Sequence, residues 1–223
     1  MSRSRKKQRE IYHPPSPPRW KGRDLLELVY ELNERCLKLL CNLAKATNTC
    51  LWPAITQHRE LWARLDADAI KRAGHFSFVI LDVHFTDASA LQELSRDDGS
   101  AVGASSETCL WPAEVAAELM QETLVFAWHA AKWDRRVARL ALGMLPSVAQ
   151  SIAALTPQAL AAVASRASAA LRLRWKDYPE FWVHLLVAAR DDDQEALEEI
   201  RLHAQLLLSG ELIARSTLAR VPA

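Results

Sequence analysis

Apolar residues recur along most of the chain at the three- and four-residue spacing that is typical of amphipathic helices. The clearest case is residues 24–46, where Asp24 stands at the start as an N-cap or first-turn residue. The apolar positions of this segment form one stripe, made of Leu25, Leu28, Val29, Leu32, Cys36, Leu39, Leu40 and Leu43. The pattern predicts an amphipathic helix that packs along a partner element.

The second half of the chain shows the same helical period, with one interruption. Residues Ala170 to Trp175 alternate as a half-buried strand does, with Leu171, Leu173 and Trp175 on one side and Arg172 and Arg174 on the other. Helices are predicted at Pro112 to about Leu142, after the capping residue Thr156, at Pro179–Ala189 and at Gln194–Leu208. The fold class is therefore mostly α, with short strands.

One pattern occurs twice, ninety positions apart, at Leu61–Phe85 and at Ser151–Trp175. Each copy has a capping residue, Asp66 or Thr156, then a short helix and a brief strand, and then Asp87 or Asp177 to open another helix. Aligned without gaps, the copies match apolar residues at Leu65 and Leu155, Ile70 and Leu160, Leu81 and Leu171, Val83 and Leu173, and Phe85 and Trp175. A chain that carries one module twice is expected to be built as a dimer of that module, with Leu155 and Leu171 in its core.

Composition divides the 223 residues into five segments. Residues 1–23 form a basic, proline-rich tail that is expected to be disordered, and residues 211–223 form a C-terminal tail. Residues 24–95 and 109–210 are the two repeats. Residues 96–108 are small, polar and glycine-containing, which is typical of a linker.

The chain contains no recognisable catalytic motif. Its histidines and acidic residues are scattered, so neither an enzyme nor a cofactor is expected. Four cysteines at irregular spacing predict neither a disulfide framework nor a metal site, and Cys36 and Cys41 are expected to be buried thiols. No segment approaches the roughly 20 consecutive apolar residues of a membrane span. We therefore expect a cytoplasmic protein without a membrane partner.

Three groups of basic residues are candidate DNA contacts. The net charge is only +1, but the tail concentrates positive charge as a disordered arm on DNA does. The candidates are Arg3, Arg5, Lys6, Lys7 and Arg9 in the tail, Arg135, Arg136 and Arg139 on one helix face, and Arg172 and Arg174 on the predicted strand. For the helix group the alternative is a solvated face, and for the strand pair it is pairing with acidic residues.

Three segments carry a resemblance to a known family. They are RRVARLALGMLPSVAQSIAALTPQALAAVA (Arg135–Ala164), LRLRW (Leu171–Trp175) and LLVAARDDDQEALEEIRLHAQLLL (Leu185–Leu208). Their order and spacing resemble FlhD, the flagellar master regulator that forms a bacterial transcription activator with FlhC. The first half is similar to a second, more diverged copy of that module, through DLLELVYELNERCLKLL and residues 61–94.

The resemblance implies two FlhD-like helical repeats, each with one short strand, that form an intramolecular pseudo-dimer. It also implies partners: an FlhC-like zinc-binding subunit, double-stranded promoter DNA, RNA polymerase indirectly, and self-association through the repeats. The regulon is that of a flagellar operon or of the transfer genes of a mobile genetic element. The alternative is an interaction module that sequesters an activator subunit without contacting DNA.

The start of the last predicted helix departs from the family pattern. Where the resemblance implies a Ser-Arg pair that contacts DNA, this chain has Asp191, Asp192 and Asp193. Carboxylates repel phosphate, so these residues are expected to cap the helix and to complement its dipole.

Overall fold

The computed structural model describes residues 22–46, 52–87 and 111–218. These residues are mostly helical, and two short strands form the sheet. The elements are α1 (Gly22–Lys45), α2 (Pro53–Gln57), α3 (Arg59–Arg64), α4 (Ala67–Gly74), β1 (Leu81–Asp82), α5 (Ala113–Trp133), α6 (Arg135–Leu142), α7 (Pro146–Ala154), α8 (Pro157–Ala167), a 3₁₀ turn (Ser168–Ala170), β2 (Arg172–Leu173), α9 (Pro179–Arg190) and α10 (Gln194–Leu218). The linker at 96–108 lies outside the described residues.

Helix α1 buries the stripe that the sequence predicts. Val29, Cys36 and Leu40 are fully buried on its inner face, and Asp24 lies in its first turn. Asn33 shares that face and is also fully buried, which makes it a polar residue inside an apolar stripe. The carboxylate of Asp24 at this end of the helix complements the helix dipole.

The predicted capping residues begin α4 and α8. Asp66 accepts a hydrogen bond from the backbone N–H of Ala69 at 2.7 Å, and Thr156 accepts one from that of Ala159 at 3.2 Å. In each case the cap satisfies one of the N–H groups that a helix start leaves without an intrahelical partner. Both predicted caps are confirmed.

The long helix predicted from Pro112 to Leu142 is in fact two helices. The chain breaks at Asp134, which has extended backbone angles and accepts a hydrogen bond from the N–H of Arg136 at 2.7 Å. An aspartate side chain competes with helical hydrogen bonding in this way and favours a new helix start. Helix α6 then ends at Gly143, whose φ of 57° is left-handed, and the side chains of Leu208 and Arg174 leave no room there for a Cβ atom.

The two strands come from opposite halves of the chain and pair antiparallel. Leu81 lies opposite Leu173, and Asp82 lies opposite Arg172. Both strands are only two residues long, so the predicted strand Ala170–Trp175 is shorter than expected. The prediction that Asp177 opens the next helix is wrong, because α9 begins at Pro179 and its N-cap residue is Tyr178.

The two halves interlock. Helix α1 packs on α3 and α4, and helix α5 packs in the same way on α7 and α8. Helix α9 belongs to the second half but packs on α2, α3 and α4, and its Trp182 ring lies 6.2 Å from that of Trp62. A backbone hydrogen bond of 2.7 Å from Val79 to Ala141 also joins the halves. Both halves therefore share one core.

Burial follows the sequence prediction at Leu171 but not fully at Leu155. Leu171 is 4% exposed, whereas Leu155 is only partly buried at the end of α7. Helix α10 continues through Leu218, ten residues beyond its predicted end, into the segment predicted to be a C-terminal tail.

No single helix of the described residues has both the length and the apolar character needed to cross a membrane. Helices α6 and α7 meet those criteria only when they are counted together, across a bend of 114°.

Candidate functional site

A buried cluster of charges lies beside the strand pair. The Arg174 side chain is only 2% exposed, and its Nε donates to the carbonyl of Val79 at 3.0 Å. A second nitrogen donates to the carbonyl of Leu142, at the end of α6. The guanidinium also lies 3.8 Å from Asp82 and 3.6 Å from Glu211 of α10. Arg174 thus ties together β2, the segment before β1, α6 and α10.

Arg172 lies on the outer side of the same cluster. Its guanidinium is 3.2 Å from the Asp82 carboxylate and 3.0 Å from Nδ1 of His84, and its side chain is 38% exposed. Of the two predicted roles for Arg172 and Arg174, the structure shows pairing with acidic residues. The burial of Arg174 removes it from the candidate DNA contacts, because its guanidinium is enclosed by protein.

The charges of this cluster set the pKa of Asp82. Burial by itself would raise that pKa, since a carboxylate loses solvation inside a protein. The guanidinium groups of Arg174 and Arg172 outweigh burial, helped by the backbone N–H of Phe85 and by His84. The net effect is a pKa below the usual range, so Asp82 is ionised at neutral pH.

A second group of basic residues is exposed. Arg135, Arg136 and Arg139 lie on the outer face of α6, and no ion pair engages them in the described part of the chain. Arg135 and Arg136 are in the first turn of that helix and Arg139 is in its last turn, and all three side chains are exposed. Exposed guanidinium groups that share one helix face can bind anions, so α6 is a candidate anion-binding surface.

One residue of the acidic run before α10 caps that helix. Asp193 accepts a hydrogen bond from the N–H of Ala196 at 3.0 Å. Asp191 instead pairs with Arg190 at 2.6 Å, and Asp192 lies 3.3 Å from Arg72 of α4. The capping prediction is confirmed for Asp193.

The remaining candidates divide between buried residues and residues outside the described ranges. Cys36 and Cys41 are buried as predicted, and burial raises the pKa of both thiols, that of Cys41 to about 11. The described histidines, cysteines and acidic residues do not form a group of three that could hold a metal ion. The tail candidates Arg3, Arg5, Lys6, Lys7 and Arg9 lie outside the described residues.

Sequence reasoning missed two polar residues that organise the strand pair. Asn33 donates to the carbonyls of Gly74 and Phe78 at 3.2 and 2.9 Å, and it accepts from the N–H of Ile80 at 2.9 Å. Its position on the apolar stripe of α1 is the signal that could have identified it. Glu211 accepts from the indole N–H of Trp175 at 3.1 Å, and it was missed because the helix was predicted to end before it.

The chain matches no protein-family model, no curated protein and no solved structure.

Proposed function

We propose that this chain is a tandem FlhD-like subunit of a heteromeric transcription activator. In this proposal the single chain supplies a complete dimer of the module, and that platform holds and orients a zinc-binding, FlhC-like partner on promoter DNA. The observation that carries the proposal is the register of the strand pair.

The register of the strand pair is the one expected when a twofold axis relates two copies of one module. When two identical strands pair antiparallel across such an axis, the residue at the axis lies opposite its own counterpart. Asp82 lies opposite Arg172, and the ungapped sequence alignment makes these two positions, ninety residues apart, equivalent. The alignment uses sequence alone and the register uses geometry alone, so their agreement supports a pseudo-dimer.

The surrounding elements support the same symmetry. Helices α3 and α4 pack on α1 as α7 and α8 pack on α5, and the caps Asp66 and Thr156 are again ninety positions apart.

Contact with DNA is proposed at α6 and the N-terminal tail. Phosphate is an anion that suits the exposed guanidinium groups of Arg135, Arg136 and Arg139. Contacts of this kind add affinity without reading sequence, so promoter specificity is assigned to the partner subunit.

One observation favours the alternative, an interaction module that sequesters an activator subunit without touching DNA. Arg172 and Arg174 are engaged by Asp82 and Glu211, which leaves fewer cations for phosphate. The two functions differ in whether removal of the basic groups changes the affinity of the assembled complex for DNA.

The platform proposal predicts a stoichiometry. A complex of this chain with an FlhC-like subunit is expected to contain two copies of each, because one chain already contains two modules. Light scattering and native mass spectrometry of the co-purified complex measure this directly. Four copies of this chain for every two partners would contradict the idea that the tandem replaces a dimer.

The DNA proposal predicts a change in salt dependence. Deleting Met1–Arg9, or replacing Arg135, Arg136 and Arg139 together with glutamine, is expected to weaken binding of the complex to specific and nonspecific DNA alike. The log–log slope of affinity against salt is expected to become shallower by roughly 0.9 for each phosphate that the complex no longer neutralises. Fluorescence anisotropy over a salt series measures both quantities.

A charge-matched control separates local contacts from net charge. Replacing Lys38, Arg64 and Lys71 with glutamine removes the same charge from α1, α3 and α4 and is expected to leave the slope unchanged. If both the tail deletion and the α6 variant keep the affinity and the slope of the intact complex, the sequestering module becomes the better description.

A further inference from the structure

Helix α10 has one face against the body of the protein and one face in solvent. Leu197, Ala204 and Leu208 are buried on the inner face. Leu202, Leu206 and Ile213 lie on the outer face and are 60%, 65% and 66% exposed. Their spacing of four and seven residues places them on a single stripe along the helix.

An apolar groove adjoins this stripe. It has a volume of about 490 Å³, with Leu25, Phe78 and Leu208 among its lining residues, and Gln205 and Ser209 of α10 lie at its border with the stripe. Its other wall carries Leu26, Trp133 and Leu140, of which Leu140 is 74% exposed.

The exposed apolar side chains are concentrated here. The described residues include eight exposed large apolar side chains, and six of them lie in the stripe or the groove. The other two are Val125 and Tyr178. A contiguous exposed apolar surface of this kind marks an interaction site, whereas single exposed leucines are ordinary.

The outer face of α10 is complementary to the same face of a second copy when the two helices run antiparallel. Along the helix it contains Glu195, Glu199, Leu202, Leu206, Ser209 and Ile213. An antiparallel register that sets Leu206 against Ser209 of a second copy also sets Leu202 against Ile213 of that copy. At the centre of this pairing a large residue, Leu206, then packs against a small one, Ser209. A parallel register would instead place each glutamate against its own counterpart, which like-charge repulsion disfavours.

One further feature agrees with the antiparallel register. Gly210 lies inside the helix next to Ser209, and an added Cβ atom there would meet nothing within 4 Å in the single chain. A glycine in a helix interior is unfavourable, but it allows a second helix to approach closely at that point.

We propose that two copies of this chain pair through antiparallel α10 helices. Leu202 and Leu206 of each copy pack against the stripe and the adjoining groove of the other copy, in a closed twofold arrangement. The pairing needs no partner subunit, so its failure leaves the proposed function untouched, and failure of the proposed function leaves the pairing intact.

Sedimentation velocity of the full-length chain, over a wide range of concentrations, tests the pairing. The wild-type chain is expected to be a dimer at micromolar concentration. The double variant Leu202→Glu with Leu206→Glu is expected to be a monomer with an unchanged circular-dichroism spectrum. The control Val125→Glu adds a charge at an exposed apolar site elsewhere and is expected to remain a dimer. A monomeric wild-type chain, or a dimeric double variant, overturns the proposal.

A further variant tests the register. Gly210→Ala is expected to raise the melting temperature of the monomer by about 2–4 °C while it weakens the dimer about tenfold. A Gly210→Ala dimer of undiminished affinity contradicts the antiparallel crossing at Ser209 and Gly210.

Discussion

Replacing Arg174 with methionine is expected to lower the free energy of unfolding by roughly 3–5 kcal/mol, which corresponds to roughly 6–20 °C in melting temperature. The substitution keeps most of the side-chain volume and removes the charge. Asp82 and the carbonyls of Val79 and Leu142 then lose a donor in a site that water reaches poorly. Breaking a buried pair from one side is costly because the remaining charge stays buried without compensation. Chemical denaturation followed by circular dichroism measures the change in stability.

The destabilisation is expected to depend on pH. In the wild-type protein the pKa of Asp82 is lowered, so its contribution to stability is present above the unfolded value of about 3.9 and is lost as the pH falls through the folded value. Without Arg174 the largest of the groups that lower the pKa of Asp82 is removed, so that pKa is expected to rise. The deficit of the variant is therefore expected to be largest near neutral pH and to shrink as the carboxyl becomes protonated.

Arg172 provides the matched control. It lies two residues away and pairs with the same carboxylate, but its side chain is 38% exposed, so Arg172→Met is expected to cost at most about 1 kcal/mol. Adding Asp82→Asn to Arg174→Met is expected to cost less than the sum of the two single changes. Equal destabilisation by Arg172→Met and Arg174→Met would show that burial of Arg174 does not increase its contribution to the free energy of unfolding.

Replacing Asn33 with leucine is expected to lower the free energy of unfolding by roughly 2–5 kcal/mol. The change leaves the carbonyl of Phe78 and the N–H of Ile80 without the hydrogen bonds that Asn33 supplies in a fully buried site. The carbonyl of Gly74 keeps a second donor, the N–H of Phe76, and is affected less. Thermal and denaturant unfolding of the purified variant measure the effect.

Asn42 on the same helix supplies the control for this prediction. It is exposed, so Asn42→Leu is expected to change the free energy of unfolding by no more than about 0.5 kcal/mol. A near-neutral Asn33→Leu would show that the segment before β1 finds other hydrogen-bond partners. The position of β1 would then not depend on α1.

Local patterns determined most of the helices. The apolar stripe of α1 and the caps Asp66 and Thr156 each involve residues within a few positions of one another, so the sequence alone was sufficient to predict them. The break at Asp134 was missed because the apolar pattern continues across it while one side-chain hydrogen bond starts a new helix. The end of α10 was also missed. Leu202 and Leu206 are apolar but exposed, so the apolar positions of this helix do not mark its buried face clearly.

The sequence by itself determined the helical class, the repeat of apolar positions and the alignment that makes Asp82 equivalent to Arg172. Only the tertiary structure determined which of the charged side chains are buried and paired and which are exposed. Arg172 and Arg174 alternate with apolar residues in the sequence, and that pattern left open whether they contact DNA or pair with acidic residues. The interlocked halves bring α6 and α10 over that face, so Arg174 is enclosed, whereas Arg135 on α6 stays exposed. The reason is physical: periodicity reports which residues share a face, but burial of that face depends on elements distant in sequence that fold onto it.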